Sequence, residues 1–262
     1  MAFEKLKYER VGAVAVITLS DPATMNAASI AMADELALAL DKAAEEARAV
    51  VLTGEGRGFC SGANLNNTGP AASKSGAKFD AGKALDTHYN PLVSLIRNLP
   101  IPIVTAVNGA AAGIGCSFAI MGDIIVAGES AYFLQAFRRI GLVPDGGSSY
   151  ILPRAIGRAR AMEMMLLGEK LPATKALEWG LINRCVPDAE LMPTALAIAE
   201  ELAAGPRSLA LIRRMTWESM DSHFQEQLKV EREVQRDAGR TADFAEGVSA
   251  FLQKRKAEFK GA

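Results

Sequence analysis

Residues 108–117, N-G-A-A-A-G-I-G-C-S, constrain this chain more than any other stretch. Ahead of them, P-I-V-T-A-V (102–107) is short, apolar and β-branched, the pattern of a buried strand. Behind them, Phe118, Ala119, Ile120 and Met121 continue as an apolar, helix-compatible run. The small residues therefore lie where a strand hands over to a helix. At such a place the first backbone N–H groups have no intrahelical partner and the helix dipole favours negative charge. With few side chains in the way, a ligand oxygen can approach that backbone closely. A dinucleotide fingerprint is excluded, because after Gly113 and Gly115 the third glycine would fall on Phe118. A Gly-Lys-Ser/Thr phosphate loop is absent too. Taken alone, the stretch is explained equally well by tight strand–helix packing with no ligand.

A second stretch changes the balance. Residues 50–65, V-V-L-T-G-E-G-R-G-F-C-S-G-A-N-L, again run from a buried-looking strand into a glycine-rich loop. Two such loops can each aim a backbone N–H at one oxygen, forming an oxyanion hole in which one donor is worth roughly 3–4 kcal/mol of transition-state stabilisation.

F-C-S-G-A-N-L (59–65) resembles the F-x-x-G-A-D-[LI] motif of the crotonase, or enoyl-CoA hydratase/isomerase, superfamily. A-V-N-G-A-A-A-G-I-G-C (106–116) resembles that family's second motif, A-V-x-G-x-A-x-G-G-G. The resemblance covers nearly the whole chain. It implies an acyl-CoA substrate whose thioester oxygen is held by the N–H groups of Ala63 and Ile114. The family's usual Asp is Asn64 here and its usual middle glycine is Ile114; a backbone donor survives both changes. Around that hole the resemblance places Ser61, Asn64, Leu65, Gly113, Ser117, Phe133 and Phe137 as substrate-binding residues. It also implies an α/β fold wound as a spiral of ββα units. A C-terminal helical region would then assemble the subunits into trimers or dimers of trimers.

Composition adds bounds. With 262 residues, half of them apolar, the chain is long enough for one large core. A net charge of −1 gives no reason to expect nucleic acid or an anionic membrane as partner. Cys60, Cys116 and Cys185 are odd in number and scattered, and the histidines are His88 and His223. Reduced thiols and no structural zinc are expected. The N-terminus lacks the apolar stretch of an export signal and no long uncharged apolar span occurs, so a soluble, cytoplasmic protein is expected.

Taken in order, 14–19 reads as a strand closed by Asp21-Pro22, and a helix starts near Ser29 as N-cap, with Met32, Leu36 and Leu40 at helical spacing. Strand, small-residue turn and helix recur three times, the strands ending near residues 20, 54 and 108. Residues 67–82 are polar and rich in Gly, Ser and Pro, the composition of a loop placed to cover the site. A helix is expected over 84–99, carrying His88, Tyr89 and Asn90. A strand is expected at 124–127, helices at 173–179, 191–202 and 241–256, and a short strand at 184–186. The change from alternation to helices alone puts a boundary near residue 200. Residues 1–200 would form the α/β core with the acyl-CoA site and 201–262 the oligomerisation region.

The side chains around the hole decide the reaction. Hydratases of the family carry two glutamates, at positions that are Ser117 and Phe137 here. Neither residue is a general base, yet adding water across a double bond needs an activated water and a proton donor. Asp145 is what remains, in G-L-V-P-D-G-G (141–147). On its own it reads as a turn residue or helix N-cap. The stretch nevertheless resembles the family branch that includes the phenylacetate-pathway ring-epoxide-CoA isomerases, in which this aspartate is the acid/base. The resemblance thus implies an isomerase with Asp145, Ala63 and Ile114 as catalytic groups, Phe133, Leu134 and Phe137 desolvating the carboxylate, and no metal, flavin or nicotinamide. An enoyl-CoA hydratase, an aryl-CoA dehalogenase or hydrolase using Asp145 with His88, and a non-catalytic CoA-thioester binder stay open. The family's basic residue after the Asp-Pro turn is replaced by Ala23-Thr24.

Overall fold

A computed structural model describes residues 3–64 and 80–262. Along the chain run β1 (Leu6–Val11), β2 (Val14–Leu19), α1 (Ile30–Glu46), β3 (Ala49–Gly54), β4 (Gly58–Cys60), α2 (Asn90–Asn98), β5 (Ile103–Val107), β6 (Ala110–Ala112) and α3 (Ile114–Ile120). Then come β7 (Ile124–Gly128), β8 (Tyr132–Leu134), α4 (Ser148–Ile156), α5 (Arg158–Leu167), β9 (Leu171–Pro172), α6 (Ala173–Glu178) and β10 (Arg184–Val186). Four helices finish it: α7 (Leu191–Ala203), α8 (Ser208–Ser219), α9 (Phe224–Ala238) and α10 (Ala242–Gln253). A π-helical turn, Leu85–Tyr89, leads into α2.

Two sheets result, one ordered β1-β2-β3-β5-β7-β10 and the other β4-β6-β8-β9. Successive strand pairs β3/β4, β5/β6 and β7/β8 each send their first member to the larger sheet and their second to the smaller. This is the expected α/β spiral of ββα units. Pairing is parallel except in the β1–β2 hairpin and between β8 and β9.

The larger sheet is covered on both faces, so β3 and β5 read as continuous apolar runs and are buried throughout. Strand β2 shows how the faces divide. Val14 and Val16 pack with Val51, Val104 and Val126 under α7, while Ala15, Ile17 and Leu19 face the main core with Met32, Leu36 and Leu40 of α1. Helix α1 begins where expected, with the Ser29 hydroxyl accepting the Met32 N–H at 3.1 Å, a cap worth about 1 kcal/mol. Helix α7 ends at Ala203. The C-terminal helices beyond it are tied back by Arg213 of α8, whose guanidinium bonds Asp123 and the carbonyls of Ile96, Arg97 and Leu99 at the end of α2.

Candidate active site

The site is built where the smaller sheet meets the first turn of α3. Strands β4 and β6 run parallel, with Gly58 opposite Ala110 and Cys60 opposite Ala111. The two glycine-rich loops therefore leave the same sheet side by side. Two glycines make the approach possible. A β-carbon on Gly115 would lie 2.7 Å from the Cys60 Sγ, so only glycine lets α3 start against β4. Gly62, at φ +107°, passes close to the end of β6, where a β-carbon would meet the Ala112 carbonyl oxygen at 3.1 Å.

The direction of the Ala63 N–H follows from its neighbours. Ala28 pairs with Ala63 as an isolated parallel bridge: the Ala28 N–H donates to the Gly62 carbonyl at 2.8 Å, and the Ala28 carbonyl accepts the Asn64 N–H at 3.2 Å. Both bonds use the residues flanking Ala63. In a parallel ladder this turns the N–H of Ala63 to the opposite edge, the side on which β4 meets β6. Ile114 is the first residue of α3, with Gly113 as cap at φ +52°, so its N–H has no acceptor within the helix. Gly113 is itself anchored by its own N–H, which donates to the Leu134 carbonyl of β8 at 2.9 Å.

Asp145 sits in the turn Asp145-Gly146-Gly147-Ser148, closed by the Ser148 N–H on the Asp145 carbonyl at 3.0 Å. Both glycines have positive φ, +57° and +80°. The N-cap of α4 is Gly147, so Asp145 does not cap the helix. Its Oδ1 is buried and unpartnered among the described residues. Burial with no opposing cation pushes its carboxyl up to about 6. A carboxyl held at that value can give and take a proton near neutral pH.

The other expected site residues divide. Phe137 is buried and its ring closes on Gly113, with a β-carbon there meeting Cζ at 3.8 Å. Phe133 is wholly enclosed in the main core. Ser61 gives its hydroxyl to the Thr24 carbonyl at 2.8 Å, which fixes the first loop. Ser117 is fully buried and donates to the Asp145 carbonyl at 2.9 Å, so its hydroxyl fastens the turn. Asn64 is half-buried beside Ala63. Leu65, and most of the loop expected over 67–82, lie outside the described residues. The Nδ1 of His88 is engaged by Asp34 of α1 at 2.7 Å.

Two contributors carry no motif in the sequence. Tyr89 is buried and donates to the Ala28 carbonyl at 2.6 Å, the same oxygen that receives the Asn64 N–H. It thereby steadies the bridge that orients Ala63. Burial first, and then the charges of neighbours including Asp145, push its phenol up to about 12, so it remains a donor. Ser148 sends its hydroxyl to the Asp145 carbonyl at 2.8 Å. Its only trace in the sequence is its place in a run of small residues. The thiols of Cys60 and Cys116 are held high by burial, at about 11 and about 12, and are unreactive packing groups.

A pair of abreast loops and one buried carboxyl agree with what the chain is similar to. The profile of the family described as enoyl-CoA hydratase/isomerase matches residues 9–262. A Rhodobacter capsulatus protein named probable enoyl-CoA hydratase is 43% identical over 262 residues, 100% of both chains. The 1,2-epoxyphenylacetyl-CoA isomerase of Escherichia coli K12 is 43% identical over 256 residues, 95% of each chain. Among solved structures, an enoyl-CoA hydratase from Polaromonas sp. JS666 superposes with a TM-score of 0.90 at 31% identity, covering 97% of this chain and 99% of that one. With its fold, its paired motifs and nearly its full length in common with these proteins, the chain belongs to the enoyl-CoA hydratase/isomerase family.

Proposed function

We propose that the protein is an acyl-CoA thioester isomerase that works through one carboxyl group. The observation that carries this reading is Asp145, a buried carboxyl with one oxygen unpartnered among the described residues, raised toward neutral pH, in a chain whose residues 117 and 137 are Ser and Phe. The N–H groups of Ala63 and Ile114 polarise the thioester carbonyl and take up the charge of the enolate. For a 3-enoyl ester, Asp145 removes a proton from the α-carbon. The electron pair moves onto the carbonyl oxygen as a dienolate, and the protonated carboxyl, whose proton exchanges with solvent, then gives a proton to the γ-carbon, shifting the double bond into conjugation. No water and no cofactor beyond the substrate's own CoA enters the balance. The similarity to a 1,2-epoxyphenylacetyl-CoA isomerase supports an aryl-acetyl ester as the natural class. The exposed apolar residues of α10 support self-association as a trimer or dimer of trimers. No helix of the described residues is long and apolar enough to cross a membrane.

Hydration is the second reading, favoured by the relative named probable enoyl-CoA hydratase at the same 43% identity. Incubating the protein with trans-3-hexenoyl-CoA in deuterium oxide, and separately with crotonyl-CoA in water, tells the two apart. The isomerase reading expects conjugation and deuterium at the α- and γ-carbons and no 3-hydroxyacyl product. Rapid hydration of crotonyl-CoA without exchange would overturn it.

A further inference from the structure

We infer that Ser117 and Ser148 are positioning residues for Asp145, fastening its main-chain carbonyl so that the carboxyl end is aimed without being touched. The inference rests on Asp145 being the proton-transfer group. Three donors converge on one oxygen: the Ser117 hydroxyl at 2.9 Å, the Ser148 hydroxyl at 2.8 Å and the Ser148 N–H at 3.0 Å. Both serines are fully buried, and they come from different elements, α3 and α4.

The turn needs this help. Its two central residues are glycines, which fix backbone direction less well than any other residue. Ser117 also packs directly on it, since a β-carbon on Gly146 would lie 2.7 Å from the Ser117 Cβ and 3.0 Å from its Oγ. Hydrogen bonds to the carboxylate itself could have aimed Asp145, but they would favour its ionised form and weaken it as a base. Holding the carbonyl aims the side chain and leaves its basicity intact.

A further residue completes the arrangement. The Ser148 hydroxyl lies 2.8 Å from the Asp145 carbonyl oxygen and 3.3 Å from the Gln135 Oε1, and its single proton serves only one of these acceptors. Given to the Asp145 carbonyl, that proton leaves the Ser148 oxygen beside the Gln135 side chain, which is fully buried and whose Nε2 has no hydrogen-bond partner among the described residues.

The test uses Ser117→Ala, Ser148→Ala and the double variant, with Asp145→Asn in parallel, on deuterium exchange into an ester that the wild type exchanges. The double variant should lose ~10²-fold in kcat with KM within about twofold, the cost expected of a misplaced catalytic group. Ser148→Thr, which restores the hydroxyl, should recover most of the kcat lost by Ser148→Ala. Ser117→Cys and Ser148→Cys keep the volume and weaken the donor, so they carry the test if the alanine variants do not fold. A folded double alanine variant, or folded cysteine variants, with wild-type kcat would overturn the inference, as would a loss confined to KM. Exchange by Asp145→Asn at the wild-type rate would instead overturn the proposed function.

Discussion

Ser117 holds Asp145 by its main chain and leaves its carboxylate alone: the hydroxyl donates to the carbonyl oxygen at 2.9 Å while Oδ1 stays buried and, among the described residues, unpartnered. The carboxyl is thus free for a substrate proton. Asp145→Asn should lower kcat by ~10²–10⁴-fold, the usual loss for a positioned acid or base, with acyl-CoA affinity unchanged. Exchange rates and equilibrium dialysis of a non-reactive acyl-CoA check the two halves.

The same burial sets a pH dependence. A base with its carboxyl at about 6 is protonated, and idle, below that value, so kcat/KM should fall on the acid side with a midpoint near pH 6. A profile flat down to about pH 4.5 would mean another group takes the proton.

Stability should move the opposite way from activity. The folded-state carboxyl is raised above its ordinary value of 3.8, so the native protein binds the extra proton between about pH 4 and 6. Ionising Asp145 then costs native stability as pH rises through that window. Asp145→Asn, which never ionises, should melt a few degrees above wild type at about pH 7.5, and the gap should close near pH 4.

Ile114 offers a test of the oxyanion donor that leaves every side chain around Asp145 in place except its own. As the first residue of α3 it occupies the helical position that best tolerates proline, which has no N–H. Ile114→Pro should cost ~10²–10³-fold in kcat with the far-ultraviolet circular dichroism retained. Undiminished exchange would show that the second donor lies elsewhere.

Arg213 is a stability prediction away from the chemistry. Its guanidinium is buried, pairs with Asp123 at 2.7 Å and satisfies three carbonyls at the end of α2. Arg213→Ala strands that carboxylate and those oxygens and should cost about 3–5 kcal/mol in a denaturant titration.

Helix α10 tests self-association. Phe244, Val248, Phe251 and Leu252 are exposed there, Phe251 to 83%. Light scattering should give a mass several times that of a 27.8 kDa chain. Phe251→Asp, a change with little to lose inside the protomer, should reduce that mass. A monodisperse wild-type monomer at micromolar concentration would refute the assembly.

The sequence alone determined the longer elements, because each is signalled by contiguous residues. The apolar runs at 14–19, 50–53 and 124–127 and the capped amphipathic helix behind Ser29 are strands and a helix for local reasons, and β10 is Arg184–Val186, as its residues suggest. The glycine-rich loops were legible as well, since a stretch without side chains at a strand–helix junction has few uses. The second strands β4, β6 and β8 were not legible. They are three residues each, largely Gly, Ala and Cys in two of them, and show no periodicity; only pairing with one another makes them strands. Asp145 was visible as a candidate but not as a buried carboxyl, because its turn is packed against Ile114 and Ser117 of α3, distant in the chain. That the Ser117 hydroxyl bonds the turn and that Phe133 packs in the core is not written in the chain, and Ser148, Gln135 and Tyr89 likewise acquire their contacts only across the fold. A hydrogen bond between residues 28 positions apart, or a hydroxyl reaching the strand 61 residues before it, leaves no pattern in a linear sequence. Tertiary packing decides which of many small polar residues meet.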